Sequence, residues 1–362
     1  MRHTPSIAIV GAGPAGLTAA VILRRHDYEV TVYESEASAT DRRQGGSLDL
    51  HEDKGQIALE HAGLLDAFRR VARHEDQQSK QIDPVSGAVQ ALPPFPGEDL
   101  DRPEIDRGAL RDLLRGALPE PAIVWDARLE RLETGHNGGH VLHFADGRWA
   151  RADIVIGADG ARSKVRSALT GVKPFYTGVT FLEGWIEYPS RAQAELVGRG
   201  TMFAFGGPEA IFAQRNGSGR ICVYAAVQRS EEWLRQQSHL SAKALVKHIY
   251  RPWAKNLLDL LEACADFTPR PIYSLPPDAD WPSPRGVCLA GDAAHLMPPM
   301  GFGVNLAMLD AAELVLAIIK SEDPIAASDA AAVEIRRRGR EFARETIPAF
   351  SEWFAGASPF AG

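Results

Sequence analysis

Ser6-Ile7-Ala8-Ile9-Val10-Gly11-Ala12-Gly13-Pro14-Ala15-Gly16-Leu17 decides the fold of this chain. The run Ser6 to Val10 is short, β-branched and closed by glycine, which predicts a buried strand. Leu17 to Arg25 carries apolar residues at helical spacing, and Glu29 to Tyr33 reads as a second strand. Strand, glycine turn, helix and strand make one βαβ unit, normally a right-handed crossover in a parallel sheet. The glycines have separate tasks in such a turn. Gly11 permits the tight bend, Gly13 lets a pyrophosphate approach, and Gly16 allows helix and strand to pack. Ala15 sits among them at the helix start, where free backbone N–H groups and the helix dipole favour negative charge. Glu34 follows Gly16 by 18 residues, where an acid accepts hydrogen bonds from the hydroxyls of an adenosine ribose. An acid there also repels a 2′-phosphate, so the dinucleotide expected is FAD or NAD, not NADP.

The rest of the composition narrows the class. Of 362 residues, 45% are hydrophobic and 24% charged, as in ordinary globular proteins, and the length suits about two domains. A net charge of −7 argues against nucleic acid as a partner. The dense basic run Arg336 to Arg340 has acidic neighbours in a helical pattern and reads as a solvated helix face. Cys222, Cys264 and Cys288 are odd in number and lack CxxC spacing, so neither a disulfide framework nor a metal site is expected. Thiols of this kind suit a reducing, cytoplasmic setting. Arg2 and His3 before an apolar run superficially match a secretory leader, but the glycine loop interrupts that run. No segment has the 18 or more apolar residues of a membrane span.

Further along, helices are expected over Lys54–Val71, Ile105–Leu118, Ser230–Gln237, Ala242–Cys264, Val304–Lys320 and Ala331–Phe354. Strands are expected between Ile123 and Ile156, with a turn at Asp146-Gly147. The antiparallel pattern from Phe175 to Val227 turns at Gly206-Gly207 and Asn216-Gly217, and an apolar strand returns at Gly286–Ala290. The expected division has a discontinuous dinucleotide domain (1–80, 104–170 and 275–325), a substrate domain (81–103 and 171–274) and a bridging C-terminal helix (326–362).

Two more motifs carry chemistry. Gly157-Ala158-Asp159-Gly160-Ala161-Arg162-Ser163-Lys164-Val165-Arg166 joins a strand to a capped helix. Gly291-Asp292-Ala293-Ala294-His295 precedes Pro298-Pro299-Met300-Gly301-Phe302-Gly303-Val304-Asn305. Asp292, at a strand's carboxyl end, is placed to accept hydrogen bonds from a sugar-alcohol chain. The helix opening at Gly303 and Val304 would aim its positive end at a flat ring that becomes negative on reduction.

In this order and spacing, the GxGxxG, DGxxSxVR and GDAAH segments resemble the single-component, class A FAD-dependent monooxygenases over nearly the whole chain. Within that class, Gly45-Gly46-Ser47-Leu48-Asp49-Leu50-His51, Pro103-Glu104-Ile105-Asp106-Arg107 and Gly291 to Pro299 are most similar to the tetracycline-inactivating monooxygenases. The resemblance implies an α/β fold: a Rossmann-like FAD-binding domain (GR2/PHBH-type), interrupted by a mostly antiparallel-sheet substrate domain, with a long C-terminal helix. It implies noncovalent FAD, held at Glu34, Asp49, Arg107, Asp159, Asp292 and Asn305. NADPH or NADH would dock transiently near Arg42 and the Asp159 motif, since no second GxGxxG occurs. The implied activity is hydroxylation of an electron-rich phenolic or enolic polycyclic substrate with O2 through a flavin hydroperoxide, by a monomer. No catalytic side chain is assigned, because the flavin carries the chemistry. The substrate would lie against Glu183, Phe203, Phe212, Pro298, Pro299, Met300 and Gly301, though packing alone also accounts for the aromatic residues of that sheet, with Trp185 and Phe205.

Departures from the family pattern bear on the substrate. Ser35 replaces the arginine that usually follows the ribose-binding acid, and the loop before Asn305 is one residue short. Glu183 stands where the tetracycline enzymes use glutamine, and the position of their substrate-contacting arginine falls at Gly200 or Thr201, where no arginine stands. Tetracycline inactivation is one reading. A flavin oxidase or dehydrogenase would share the first motif and often the third, though the Asp159 motif speaks against it. A non-catalytic flavin- or drug-binding protein is the rival from a different class.

Overall fold

The computed structural model describes residues 4–41, 45–90, 101–135 and 139–355, and every count and absence below refers to these. Ile7–Val10 is the central strand of a five-stranded parallel sheet. Its neighbours are Val30–Tyr33 on one side and Ile154–Gly157 on the other. Val287–Leu289 and Ile123–Val124 complete the edges. Every residue of Ile7–Val10 and Ile154–Gly157 is buried, as befits parallel strands covered on both faces by helices. The helix Pro14–Arg25 packs on the helix Gly303–Lys320, so the two segments flanking the expected cofactor are welded together.

A second, seven-stranded sheet carries Phe175–Ile186, Gly200–Phe205, Glu209–Arg215, Ile221–Gln228 and Phe267–Ser274 in antiparallel pairing. Gln78–Ile82, astride the expected boundary at residue 80, joins this sheet parallel to Gly200–Phe205. One face of the sheet is backed by the helices Ala242–Ile249 and Lys255–Ala263, with Leu182, Met202, Val223 and Leu257 in the core between them. The other face looks back toward the cofactor half. A two-stranded ribbon, Ser47–Asp49 with Glu104–Asp106, lies at the junction.

Several expected helices are shorter or broken, each for a local reason. Lys54–Val71 is two helices, Gly55–His61 and Leu65–Val71, separated at Gly63, whose φ of 70° ends a helix. Ala242–Cys264 is likewise two, with Pro252 in the gap. Ile105 and Asp106 pair with the ribbon, and the helix starts at Arg107. The last helix begins early, at Pro324, because Asp323 caps it by accepting from the Ala326 N–H at 3.1 Å, and it runs to Glu352.

Candidate cofactor and substrate site

The glycine loop is built by close approach. A side chain at Gly16 would run into the Gly11 carbonyl, and one at Gly11 into the Ala158 carbonyl. Around Gly13 a Cβ would meet nothing within 4 Å, so open space lies where a phosphate must come in. Leu17 donates to the Gly13 carbonyl at 2.9 Å, and no side chain caps this helix, which leaves its N-terminus free for an anion. Ala15 is buried beside Gly291. Glu34 is buried and accepts from the Ala12 N–H at 2.6 Å and the Glu36 N–H at 2.9 Å. Arg111, which no motif marks, ties this corner to the next helix by donating to the Ala12 carbonyl at 3.0 Å and to Glu36 at 2.6 Å.

The second and third motifs form one unit. Asp159 spends its carboxylate on the helix start at Lys164, accepting from the Ser163 hydroxyl at 2.5 Å and the Lys164 N–H at 2.7 Å. Burial raises the Asp159 carboxyl, and those donors oppose the rise. Arg166 is 2% exposed and donates to the carbonyls of Asp292 at 3.2 Å and Ala293 at 2.9 Å. It is therefore the rivet between motifs, a role that spacing alone did not reveal.

Asp292 keeps accessible surface although it is densely surrounded, which places it on the wall of a recess. That enclosure raises its carboxyl, while His295, Arg107 and Arg166 pull it down. No described group donates a hydrogen bond to this carboxylate, so its acceptor capacity is open to a polyol. Open space at Gly13, a free helix N-terminus and an uncommitted acid in a recess fit a bound dinucleotide.

Asn305 is buried and serves as a staple. It accepts from the His51 N–H at 2.8 Å and donates to the Asp49 carbonyl at 2.8 Å and the Gly301 carbonyl at 3.3 Å. The His51 ring lies 3.1 Å from the Asp49 carboxylate and edge-on to Phe302. Gly303 and Val304 open the helix beneath this loop, and its first turn carries no side-chain cap. Arg107 lies beside Gly45, and its charge pulls down both the Asp292 carboxyl and the Tyr224 phenol. Arg42 falls outside the described residues.

Behind Asp292 runs a buried ionic chain. His295 pairs with Asp310, Asp310 receives Arg338 at 2.5 Å, and Arg338 also reaches Glu313 at 2.6 Å. Burial works against a charged His295, but the Asp310 and Asp292 carboxylates outweigh it and raise its pKa. The basic run is thus not wholly a solvated face. Arg338 turns inward, while Arg337 pairs along the helix with Glu334 and Glu341. Gly339 presses on the His295 ring, and no side chain would fit between them.

Cross-strand register arranges the facing sheet in rows, because directly opposed residues share a face. One row runs Arg270, Phe181, Ala226, Ala210, Phe205; the next Thr268, Glu183, Tyr224, Phe212, Phe203; the third Trp185, Cys222, Gln214, Thr201. The face grades from aromatic to polar along the strands. At the polar end, the Tyr224 hydroxyl and the Gln214 amide crowd Gly46. Burial holds the Tyr224 phenol well above its ordinary value, with Cys222 and Glu183 adding to the rise. Glu183 is half-buried and accepts from Trp185 Nε1 at 3.2 Å and Arg270 Nε at 3.3 Å. At the aromatic end the chain covers itself. Phe350 packs on Phe181, and Trp353 packs on both Phe205 and Phe212. Phe212 is 6% exposed, so it is largely committed to that packing, and Phe203 stacks on Phe205. Met300 joins the same cluster, whereas Pro299 and Gly301 remain exposed and Pro298 is buried.

The FAD binding domain family matches residues 4–178 and 280–330, more than half of the chain. Monooxygenase asqM of Emericella nidulans is 30% identical, with 85% of this chain and 82% of that protein aligned. This chain is an FAD-dependent monooxygenase of that family. A second relative, 6-hydroxynicotinate 3-monooxygenase of Bordetella bronchiseptica, is 28% identical over 87% of this chain and 82% of its own length. The crystal structure of tetracycline destructase Tet(55) superposes with a TM-score of 0.71 at 21% identity, covering 99% of this chain and 90% of that one. That likeness shows the fold of the monooxygenase; the sequence relatives named above are other monooxygenases. Cys222, Cys264 and Cys288 are buried and form no disulfide among the described residues, and no described helix is long and apolar enough to cross a membrane.

Proposed function

We propose that this monooxygenase uses NADPH or NADH and O2 to hydroxylate a flat, electron-rich phenolic or enolic polycyclic molecule. The observation that carries the reading is the facing of two surfaces: the Pro298–Asn305 loop on the cofactor half, and the graded Glu183–Tyr224–Phe212 row on the sheet. FAD, when bound, supplies the oxygen-transfer chemistry. The chain's own groups do the rest. The glycine-loop amides and Glu34 would hold the adenosine end, and Asp292 the ribityl chain. The helix at Gly303 and Val304 would favour negative charge on the ring. Pro299, Met300 and Gly301 would wall one side of the substrate, while the sheet excludes water from the reacting face. Tyr224, held protonated by burial, presents a hydrogen-bond donor, and Glu183 an acceptor already shared with Arg270. A ring bearing both an acceptor oxygen and a donor hydroxyl suits that pair.

Tetracycline has this chemistry, but Glu183 and the missing arginine favour weak binding or slow turnover of it. The protein is proposed to act as a cytoplasmic monomer. The test mixes FAD-loaded protein with NADPH or NADH and a panel containing tetracycline and smaller phenols. Coenzyme oxidation, oxygen uptake and product mass are followed together. One added oxygen with stimulated coenzyme oxidation is expected for a phenolic polycycle. Oxidation of a substrate without oxygen insertion would make the protein an oxidase or dehydrogenase, and no stimulation by any compound would leave a flavin-binding protein.

A further inference from the structure

The ribbon between the two halves holds an unbalanced set of carboxyl groups. Asp49 and Glu104 are directly opposed across its two strands, and Ser47 opposes Asp106 one step along, so all four side chains share a face. Arg73 approaches from the segment after the helix Leu65–Val71, but its fork is already distributed. It donates to Asp76 at 3.0 Å, Asp106 at 2.8 Å and the Ser47 hydroxyl at 2.7 Å. Arg215 pairs with Asp76 and Arg220 with Asp106. Asp49 has the His51 ring at 3.1 Å. Glu104 is 8% exposed, its hydrogen-bond donor is the Ser47 hydroxyl, and no described cation makes an ion pair with it. Backbone bonds to Arg73 on its other side fix it in place.

We propose that Glu104 is a positioning residue that stores a proton behind Asp49, so that the pair presents one negative charge, not two, to the flavin-facing loop. Two carboxyls sharing a desolvated site do not both ionise. Burial first, and the Asp49 charge next, push the Glu104 carboxyl up to about 8, against the Ser47 hydrogen bond and Arg73. Asp49 in turn touches the loop that the cofactor must meet, through Asn305 and beside Gly301. Reduced flavin is anionic, and a second charge at Asp49–Glu104 opposes its formation. The bound flavin is therefore harder to reduce once the pair loses its proton. This inference rests on placing Asp49 against FAD, and it holds whatever the substrate proves to be.

Two measurements test it, neither requiring turnover. In the FAD-free protein, infrared difference spectra across pH 6 to about 9 should show the loss of a protonated-carboxyl carbonyl stretch, absent from Glu104→Gln. Folded-state stability gives the same answer through linkage. Glu104 holds its proton more tightly folded than unfolded, so stability falls as pH rises from 4.5 to about 8. Glu104→Gln should flatten that fall. In the FAD-loaded protein, the midpoint potential against pH should bend downward near 8 in the wild type and not in Glu104→Gln. Asp49→Asn should move the bend to lower pH. A titrating carboxyl stretch of undiminished intensity in Glu104→Gln, or none in the wild type at pH 6, overturns the stored proton. If Glu104→Gln will not fold, the wild-type titration decides this alone. Identical potential curves in both proteins overturn the link to the flavin. Failure of the monooxygenase reading would show instead as coenzyme oxidation that no substrate stimulates.

Discussion

The two halves of the molecule are specified by different physics. In the cofactor half, backbone approaches backbone so closely that single atoms matter, and the partners are glycines and buried charges. In the sheet half, the face is a graded surface of aromatic and polar side chains, and part of it is covered by the terminal helix. The first half is intolerant and carries its meaning in motifs. The second carries its meaning in register. One helix, Pro324–Glu352, belongs to both, touching His295 at Gly339 and Phe181 at Phe350.

The contrast can be broken hardest at the ionic chain. Asp310→Ala strands Arg338 and His295 in a buried setting and should cost about 3–5 kcal/mol of stability. Chemical denaturation of the FAD-free protein measures it; a loss under 1 kcal/mol would mean the chain is ornamental. Next is Phe350→Ala, which empties a site 1% exposed in the sheet half. About 3 kcal/mol is expected, the low end for such truncations because a helix end can relax. FAD affinity, read by fluorescence quenching, should hardly change, and a large affinity loss would erase the division between halves.

Asp292→Ala sharpens the same contrast from the other side. Its carboxylate accepts nothing from the chain, so stability should stay level while FAD binding weakens by about 1–3 kcal/mol. An unchanged dissociation constant removes Asp292 from the site. The smallest expected effect is a pH dependence. His295 has its pKa raised by Asp310 and Asp292 despite burial. Its contribution is therefore complete below the unfolded value of 6.5 and is lost as pH rises through the folded value. Subtracting the stability curve of His295→Gln from that of the wild type should leave a decline in that window, and a difference that grows with pH would reverse the assignment.

Legibility followed the same divide. The glycine turn and the strand–helix–strand order around it were readable because each needs one residue type at one spacing. Arg166 and Arg111 were not, since each ties its segment to backbone carbonyls that no sequence marks. Asn305 is expected at the cofactor from its motif, but its three bonds to His51, Asp49 and Gly301 join segments that only the fold brings together. Phe203 and Phe212 were read as substrate contacts or core. Their cover by Trp353 and Phe205 could not be seen, because alternation gives a face but not what lies upon it. Gln78–Ile82 escaped for a related reason: its parallel partner is more than a hundred residues away.

The order of strands in the parallel sheet has a consequence in time. Val287–Leu289 can pair only with Ile154–Gly157, and Gly303–Lys320 must then close on Pro14–Arg25. As the chain emerges from the ribosome, the entire seven-stranded sheet is made before the strand that completes the first one. Such distant pairings are slow to close. The nascent cofactor half therefore waits with its apolar helix Pro14–Arg25 half covered, and the recess at Asp292 comes into being only after the seven-stranded sheet has been made.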